Sequence, residues 1–208
     1  MMLRLAKDEN RMNRDDLKEL HYIAPLSNLA LILQHGILSN ANLKRMGIKA
    51  ESVASEDVQK IRARKVVPNG RPLHEYANLY ICARNPMMYK RRGAELVVVR
   101  VGPDVLNLPS VVIADGNAAS GYTAFWSSPA GLQKINKDMV FARSWDSDDP
   151  IEKLKSKRVK CAEVLVPDKV ETRFITGFYV PNIDVKNKVL AAVSGLAVDV
   201  DAHLFFRD

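Results

Sequence analysis

The apolar residues of this chain fall mostly into short runs bounded by Gly, Pro, Asn and Asp, a pattern typical of strand-rich proteins. The clearest run is Leu96–Val101, whose β-branched residues predict a strand. Further strands are predicted at residues 20–23, 79–83, 111–114, 163–167, 174–180 and 196–200.

Helices are predicted where a capping residue precedes helical spacing. Ser27 precedes a pattern over Leu29, Ile32 and Leu33, and Gly36 ends it. The other predicted helical segments are 55–62, 131–135, 150–154 and 185–193. Residues 39–54 show no clean period and predict a loop, residues 67–71 predict a turn, and Pro86 is expected to break a strand.

Strands and helices do not alternate regularly along the chain, which argues against a doubly wound parallel sheet. We therefore predict a mixed α+β fold around largely antiparallel sheets. A length of 208 residues is sufficient for one core, so residues 1–208 are interpreted as a single domain. Residues 1–17 are interpreted as a loosely ordered N-terminal extension.

One carboxylate, Glu163, interrupts an otherwise apolar strand that Pro167 ends. Burying a carboxylate costs several kcal/mol unless it is paired or opens to a cleft. A ligand site would explain it. The alternative is a half-exposed strand with Glu163, Cys161 and Leu165 on the solvent face.

The net charge of +7 is concentrated in one part of the chain. Residues 44–92 contain twelve Lys and Arg against four Asp and Glu, interleaved with Tyr76, Tyr80 and Tyr89. Cations mixed with aromatic rings are typical of surfaces that bind single-stranded nucleic acid or a dinucleotide. A solvated helical face is the alternative.

The remaining composition excludes several classes. Two cysteines cannot form a disulfide framework, and the four histidines lack the spacing of metal ligands, so no metal site is predicted. Met1–Asn13 lacks the apolar segment of a signal peptide, and Val189–Val198 is too short to span a membrane. We predict a soluble cytoplasmic protein.

Several segments resemble, in the same order, those of the DarT family of DNA ADP-ribosyltransferase toxins. The longest is Asn78–Tyr89, which contains the sequence Ala-Arg-Asn-Pro-Met-Met-Tyr. The others are residues 22–33, 58–62, 68–76, 115–117 and 161–166. The sequences of residues 83–89 and 162–167 are most similar to those of the branch of the family that modifies guanine rather than thymine.

The resemblance implies an ADP-ribosyltransferase fold, an α+β core of two largely antiparallel sheets with flanking helices, with a cleft that binds NAD as a substrate. It implies that Glu163 is the catalytic carboxylate and that Arg62 holds a phosphate or pairs with Glu163, although Arg64 could replace Arg62. Tyr80 would stack on the nicotinamide. The alternative for Tyr80 is ordinary strand packing, and the alternative for the arginines is a solvated helix face.

The resemblance also implies further residues that bind NAD or DNA. Ile23 and Asn28 would contribute to NAD binding, together with either Tyr22 or His21, depending on the strand register. The residues implied to contact DNA are Arg84, Met87, Tyr89, Arg91, Arg92, Asn117 and Lys157.

The expected function is therefore transfer of ADP-ribose onto a base, guanine in the branch it resembles, of single-stranded DNA. The protein would be a toxin opposed by a DarG-type antitoxin that binds it or removes the ADP-ribose, with no membrane partner. The alternatives are an enzyme of the same fold acting on thymine, RNA or protein, and a non-enzymatic nucleic-acid-binding module.

Overall fold

The computed structural model describes residues 10–207. Its ten strands within that range are β1 (Leu20–Pro25), β2 (Ile37–Leu38), β3 (Tyr76–Tyr80), β4 (Leu96–Val101), β5 (Val112–Ala114), β6 (Phe125–Ser127), β7 (Glu163–Pro167), β8 (Lys169–Val170), β9 (Ile175–Val180) and β10 (Ala197–Val200). The described α-helices are α1 (Leu29–His35), α2 (Asn40–Arg45), α3 (Glu56–Arg64), α4 (Pro86–Arg91), α5 (Lys137–Phe141), α6 (Pro150–Lys160) and α7 (Ile183–Leu190).

Eight strands form one large sheet in the order β10-β9-β4-β1-β3-β7-β5-β6, and β2 pairs with β8 in a small one. Within the described residues every pairing is antiparallel except that of β9 with β10. The predicted fold class, a mixture of helices with a largely antiparallel large sheet and a second sheet, is confirmed.

The large sheet is nearly divided in two at its centre. The whole length of β1 pairs with β4, whereas the described register joins β1 to β3 at one pair alone, His21 with Tyr80. Beyond that pair the two strands separate, and a cleft opens between the half that ends at β1 and the half that begins at β3.

The main apolar core covers one face of the sheet. Leu20, Leu79, Val99 and Val164 are fully buried there. A second cluster covers part of the other face, with Ile23 and Phe205 at its centre.

Predicted and observed elements differ in both halves of the chain: β6, α5 and β8 were not predicted, and α6 extends beyond the predicted residues 150–154. The predicted loop over residues 39–54 contains α2, because the Ser39 side chain accepts a hydrogen bond from the Asn42 backbone and caps the helix. Pro86 does not simply break a strand but begins α4, where its missing N–H costs nothing. The side chain of Asn85 caps that helix.

Residues 10–17 pack onto the core, although they belong to the segment interpreted as a loose extension. Met12 and Leu17 are buried, and Arg11 forms a bridge with Asn136. Residues 1–9 of that interpreted extension lie outside the described residues.

In residues 10–207 no helix combines the length and apolarity that a membrane span requires. Over the same range no cluster of three or more His, Cys, Asp or Glu side chains could hold a metal ion. Cys82 and Cys161 are both free thiols.

Candidate active site

Glu163 lies at the start of β7 and is 1% exposed, so the alternative of a solvent-facing carboxylate is wrong. Its Cα is opposite Tyr80 on one side and Ala114 on the other. Directly opposed residues of antiparallel strands share a face of the sheet. Glu163 and Tyr80 therefore occupy the face on which the cleft opens.

Two groups hold the carboxylate of Glu163. Arg62 Nη1 donates to Oε2 at 3.1 Å and to Oε1 at 3.4 Å, and the backbone N–H of Ala118 donates to Oε1 at 2.9 Å. Arg62 is itself buried, with 8% exposed. The pairing explains how a carboxylate is tolerated in an apolar strand, because charge-assisted hydrogen bonds offset its desolvation.

Helix α3 brings Arg62 to this position. Ser55 is its N-cap residue and acidic side chains occupy its first turn, as the sequence predicted. The helix is tethered at two points: Gln59, in its first half, contacts Ser52 and His74, and Lys65, its C-cap residue, donates to the Ser120 carbonyl at 2.5 Å.

The cleft encloses about 320 Å³. Its lining combines the separated edges of β1 and β3 with α3, α4 and the loop over residues 50–55. The lining residues that carry polar, aromatic or sulfur groups include Tyr22, Gln59, Arg62, His74, Tyr76, Asn78, Tyr80, Met87, Lys90, Arg91 and Asn117.

Burial shifts three titratable groups in and around the cleft. It raises the pKa of Tyr80 well above its ordinary value, with the charge of Glu163 acting in the same direction. It also raises the pKa of Tyr22, so both phenols stay protonated at neutral pH. Burial lowers the pKa of Lys65, while the negative charge of Glu163 opposes that shift.

The structure distinguishes Tyr22 from His21, the two residues of β1 that are alternatives for NAD binding. Tyr22 and Ile23 line the cleft, and the β1–β4 register runs without a bulge. His21 shares the face of Tyr80, but its Nε2 lies 3.2 Å from Glu19 and it does not line the cleft.

Asn28 acts on the cleft through a loop. Its side-chain amide donates to the Glu51 carbonyl at 2.8 Å and accepts from the Glu51 N–H at 3.0 Å. Arg91 holds the same loop from the other side, donating to the Val53 carbonyl at 2.7 Å. Both side chains therefore position residues 51–53 over the cleft.

The remaining residues that the resemblance assigned to DNA lie in three places. Met87 and Asn117 line the cleft. Tyr89 instead contacts the Phe206 ring beside α4, with Arg92 over the Tyr89 ring and Arg84 over the Phe206 ring.

Lys157 is separate from both groups. It lies half-buried on α6, and its charge acts on Asp146.

Sequence reasoning missed Ala118 and the loop around Glu51 and Val53. Both act through backbone groups, which carry no residue-specific signal. It also missed Trp145 and Phe206, which meet Tyr89 from distant parts of the chain.

The family model described as DarT, ssDNA thymidine ADP-ribosyltransferase, matches residues 21–206. The chain belongs to the DarT family. A DNA ADP-ribosyl transferase–DNA ADP-ribosyl glycohydrolase fusion protein of Thermosipho africanus is 32% identical over 200 residues, covering 91% of this chain and 50% of the fusion. A DNA ADP-ribosyl transferase of Thermus aquaticus is 28% identical over 139 residues, covering 61% of this chain and 62% of that protein. The chain thus spans between half and two thirds of the length of these DarT relatives.

Solved structures of DarT proteins share the fold. Thermosipho africanus DarTG in complex with ADP-ribose superposes with a TM-score of 0.81 at 30% identity, covering 91% of this chain and 51% of that one. Thermus sp. 2.9 DarT in complex with ADP-ribosylated ssDNA gives a TM-score of 0.78 at 21% identity, covering 94% and 99%. The predicted family and fold are both confirmed.

Proposed function

We propose that this protein transfers ADP-ribose from NAD, as a substrate, to a base of single-stranded DNA. The observation that carries the proposal is the buried Arg62–Glu163 pair beside the cleft of a DarT family member. Support comes from relatives of the same fold, since structures of Thermus sp. 2.9 DarT contain NAD+, carba-NAD+ or ADP-ribosylated ssDNA.

The chemistry gives Glu163 its role. The bond between the ribose C1′ and the nicotinamide nitrogen breaks, and nicotinamide leaves with the electron pair. Positive charge then develops on the ribose, which a fixed carboxylate stabilises more in the transition state than in the ground state. A nitrogen of the base forms the new bond to C1′ and loses a proton, which Glu163 can accept.

Arg62 and Ala118 position that carboxylate. The Ala118 N–H fixes one oxygen, and Arg62 contacts both oxygens through Nη1. Among the described residues no other side-chain partner is recorded for this guanidinium, so its other N–H groups can bind a phosphate of NAD. Tyr80, uncharged and beside Glu163, offers a ring face for the nicotinamide.

The test of this activity is a reaction with NAD and a short single-stranded oligonucleotide, followed by mass spectrometry. We expect a mass gain of one ADP-ribose on DNA. Matched RNA and a protein mixture serve as parallel acceptors. Labelling of either one in place of DNA would replace the proposed substrate, and labelling of none would contradict the transferase activity.

We propose further that the modified base is guanine. The support is the resemblance of residues 83–89 and 162–167 to the guanine-modifying branch, while the matched family description names thymidine. Guanine offers an exocyclic amine as nucleophile, and a single strand exposes it without the cost of extruding a paired base. Replacing every guanine by inosine, which lacks that amine, should abolish labelling. Undiminished labelling would favour thymine.

The third part of the proposal is a role as the toxin of a toxin–antitoxin system with a DarG-type partner. The Thermosipho africanus relative joins a DNA ADP-ribosyl transferase to a DNA ADP-ribosyl glycohydrolase in one chain, which supports a link between modification and its removal. Expression of the protein should arrest growth, and co-expression of an active glycohydrolase should restore it. Growth that continues without the glycohydrolase would contradict the role.

A further inference from the structure

Three aromatic rings from distant parts of the chain meet beside α4. Tyr89 lies on α4, Trp145 in the loop between α5 and α6, and Phe206 near the C-terminal end. Their ring centroids are 5.1 to 5.9 Å apart, and each pair meets edge to face. We call this group the aromatic cluster.

Two arginines cover rings of the aromatic cluster. The Arg84 guanidinium lies 3.8 Å from the Phe206 ring centroid, and that of Arg92 lies 4.0 Å from the Tyr89 centroid. The Nε and Nη1 atoms of Arg84 are buried without a hydrogen-bond acceptor. Buried N–H donors without an acceptor are unfavourable, so a phosphate or a base edge that reached this guanidinium after a small movement of the Arg84 side chain would supply the missing acceptor.

The cluster is fixed to the wall of the cleft. Met87 and Lys90 of α4 line the cleft, and Tyr89 lies between them in sequence, with 45% of it exposed on the outer side. Arg207 ties the C-terminal segment to the end of α4, donating to the carbonyls of Arg92 and Ala94 at 3.0 and 2.8 Å. One short helix therefore separates the cleft from the aromatic cluster.

We propose that the aromatic cluster is a stacking platform for the nucleotides adjacent to the target base, with Trp145 and Tyr89 contacting bases and Arg84 and Arg92 contacting phosphates. This inference rests on the proposed function and specifies the path of the strand outside the cleft. Rings interleaved with cations recognise a single strand, because every base has a face that can stack and every nucleotide brings a phosphate.

The acidic residues after Trp145 do not face the strand as free charges. Asp146 forms an ion pair with Lys153, and the Asp149 side chain caps α6 by accepting from the Ile151 and Glu152 backbone. All three acids of this loop are exposed, and Asp148 is the one for which neither an ion pair nor a capping role is described. The cations around Tyr89 outnumber it, so the surface remains suited to a polyanion.

The chain offers a matched control in Trp126, the second of its two tryptophans. Trp126 is 39% exposed and also has a cation over its ring, with Lys134 Nζ 5.2 Å from the centroid. Its register partner is Ile113, whereas Glu163 is opposite Ala114. Trp126 therefore lies on the face of the sheet opposite to Glu163.

The experiment uses tryptophan fluorescence of the full chain, without NAD, titrated with a short single-stranded DNA. Trp126→Phe leaves Trp145 as the reporter, and its emission should fall as bases stack on it. Trp145→Phe leaves Trp126, whose emission should not change. Abasic sites beside the target nucleotide should remove the quenching in Trp126→Phe.

The affinity for single-stranded DNA gives a second, independent measurement. Trp145→Ala should weaken DNA binding roughly tenfold, as expected for loss of one stacked base, while Trp126→Ala binds as the unmodified protein does. Equal quenching of both reporters, equal affinities of the two alanine variants, or quenching by RNA but not DNA would overturn the platform. Absence of ADP-ribose transfer by the unmodified protein would instead contradict the proposed function, because binding is measured without NAD.

Discussion

Two carboxylates on the same face of the sheet are held by arginine in different ways. Glu163 is 1% exposed and contacts Arg62 and one backbone N–H. The side chain of Glu19, just before β1, is 18% exposed and is bound by three side chains. These are Arg100 at 2.7 Å, Tyr179 at 2.8 Å and His21 at 3.2 Å.

The difference separates a site from a structural cluster. Arg100 also pairs with Asp199 and lies over the Tyr179 ring, so the Glu19 cluster fixes β1, β4, β9 and β10 to one another. Glu163 has a partner on a helix that lines a cleft. An ion pair saturated by neighbours stabilises the fold, whereas one that borders a cleft can bind a ligand.

The largest expected effect is the loss of activity in Glu163→Gln. The substitution keeps the size of the side chain and removes the charge that stabilises the ribose cation, so transfer should fall by about a hundredfold or more. The control is Glu19→Gln, which should retain transfer. A Glu163→Gln rate above about a tenth of the original, a barrier change below about 1.4 kcal/mol, would remove Glu163 from catalysis.

A smaller effect is expected on stability when each arginine is removed. Arg62→Ala leaves a buried carboxylate without its partner and should lower the free energy of unfolding by about 3 kcal/mol. Arg100→Ala should lower it by about 1 kcal/mol, because that cluster is partly solvated. Urea unfolding measures both.

The double variant Arg62→Ala with Glu163→Gln sharpens this second test. It should recover most of the lost stability without any recovery of transfer, since the unpaired charge is gone but the reaction still lacks its carboxylate. A double variant no more stable than Arg62→Ala would show that the pair is not the source of the loss.

The smallest expected effect is on the stability of the fold at acidic pH. Burial raises the pKa of Glu19, but hydrogen bonds from His21, Arg100 and Tyr179 outweigh it and lower the pKa from 4.5 to about 2. Ionised Glu19 therefore stabilises the fold above about pH 4.5, and this contribution is lost as the pH falls toward 2. Solvent screening reduces it to about 1–2 kcal/mol.

Unfolding measured between pH 5 and pH 2.5 checks this expectation. Glu19→Gln should lose less stability on acidification than the unmodified protein does. If both proteins lose the same amount, the acid sensitivity belongs to other carboxylates.

The sequence predicted the features that are encoded locally. Leu96–Val101 is a strand over the predicted residues, and Gly36 ends α1 with a φ of 79°, a conformation that glycine adopts without strain. Glu163 was detectable because a charge in an apolar run conflicts with its surroundings.

Other features depend on contacts between distant segments. Glu19 stands in a polar stretch where a carboxylate is unremarkable, and its partners come from three other positions on the sheet. Asn85-Pro86 did carry a local signal, since Asn is a common N-cap residue and Pro is favoured in the next position. Pro86, interpreted as a residue that breaks a strand, is the first residue of helix α4.

The separation of β1 from β3 gives the protein two strand edges in its interior. On the surface, such an edge is a template on which a foreign polypeptide can pair, and proteins protect themselves against it. Enclosed in a cleft of about 320 Å³, the same edge is out of reach of another chain but accessible to a small molecule. A bound molecule that carries an amide group can form hydrogen bonds with a strand edge as an added strand would. The gap in the sheet therefore keeps two strand edges away from other polypeptides while leaving them beside the cleft.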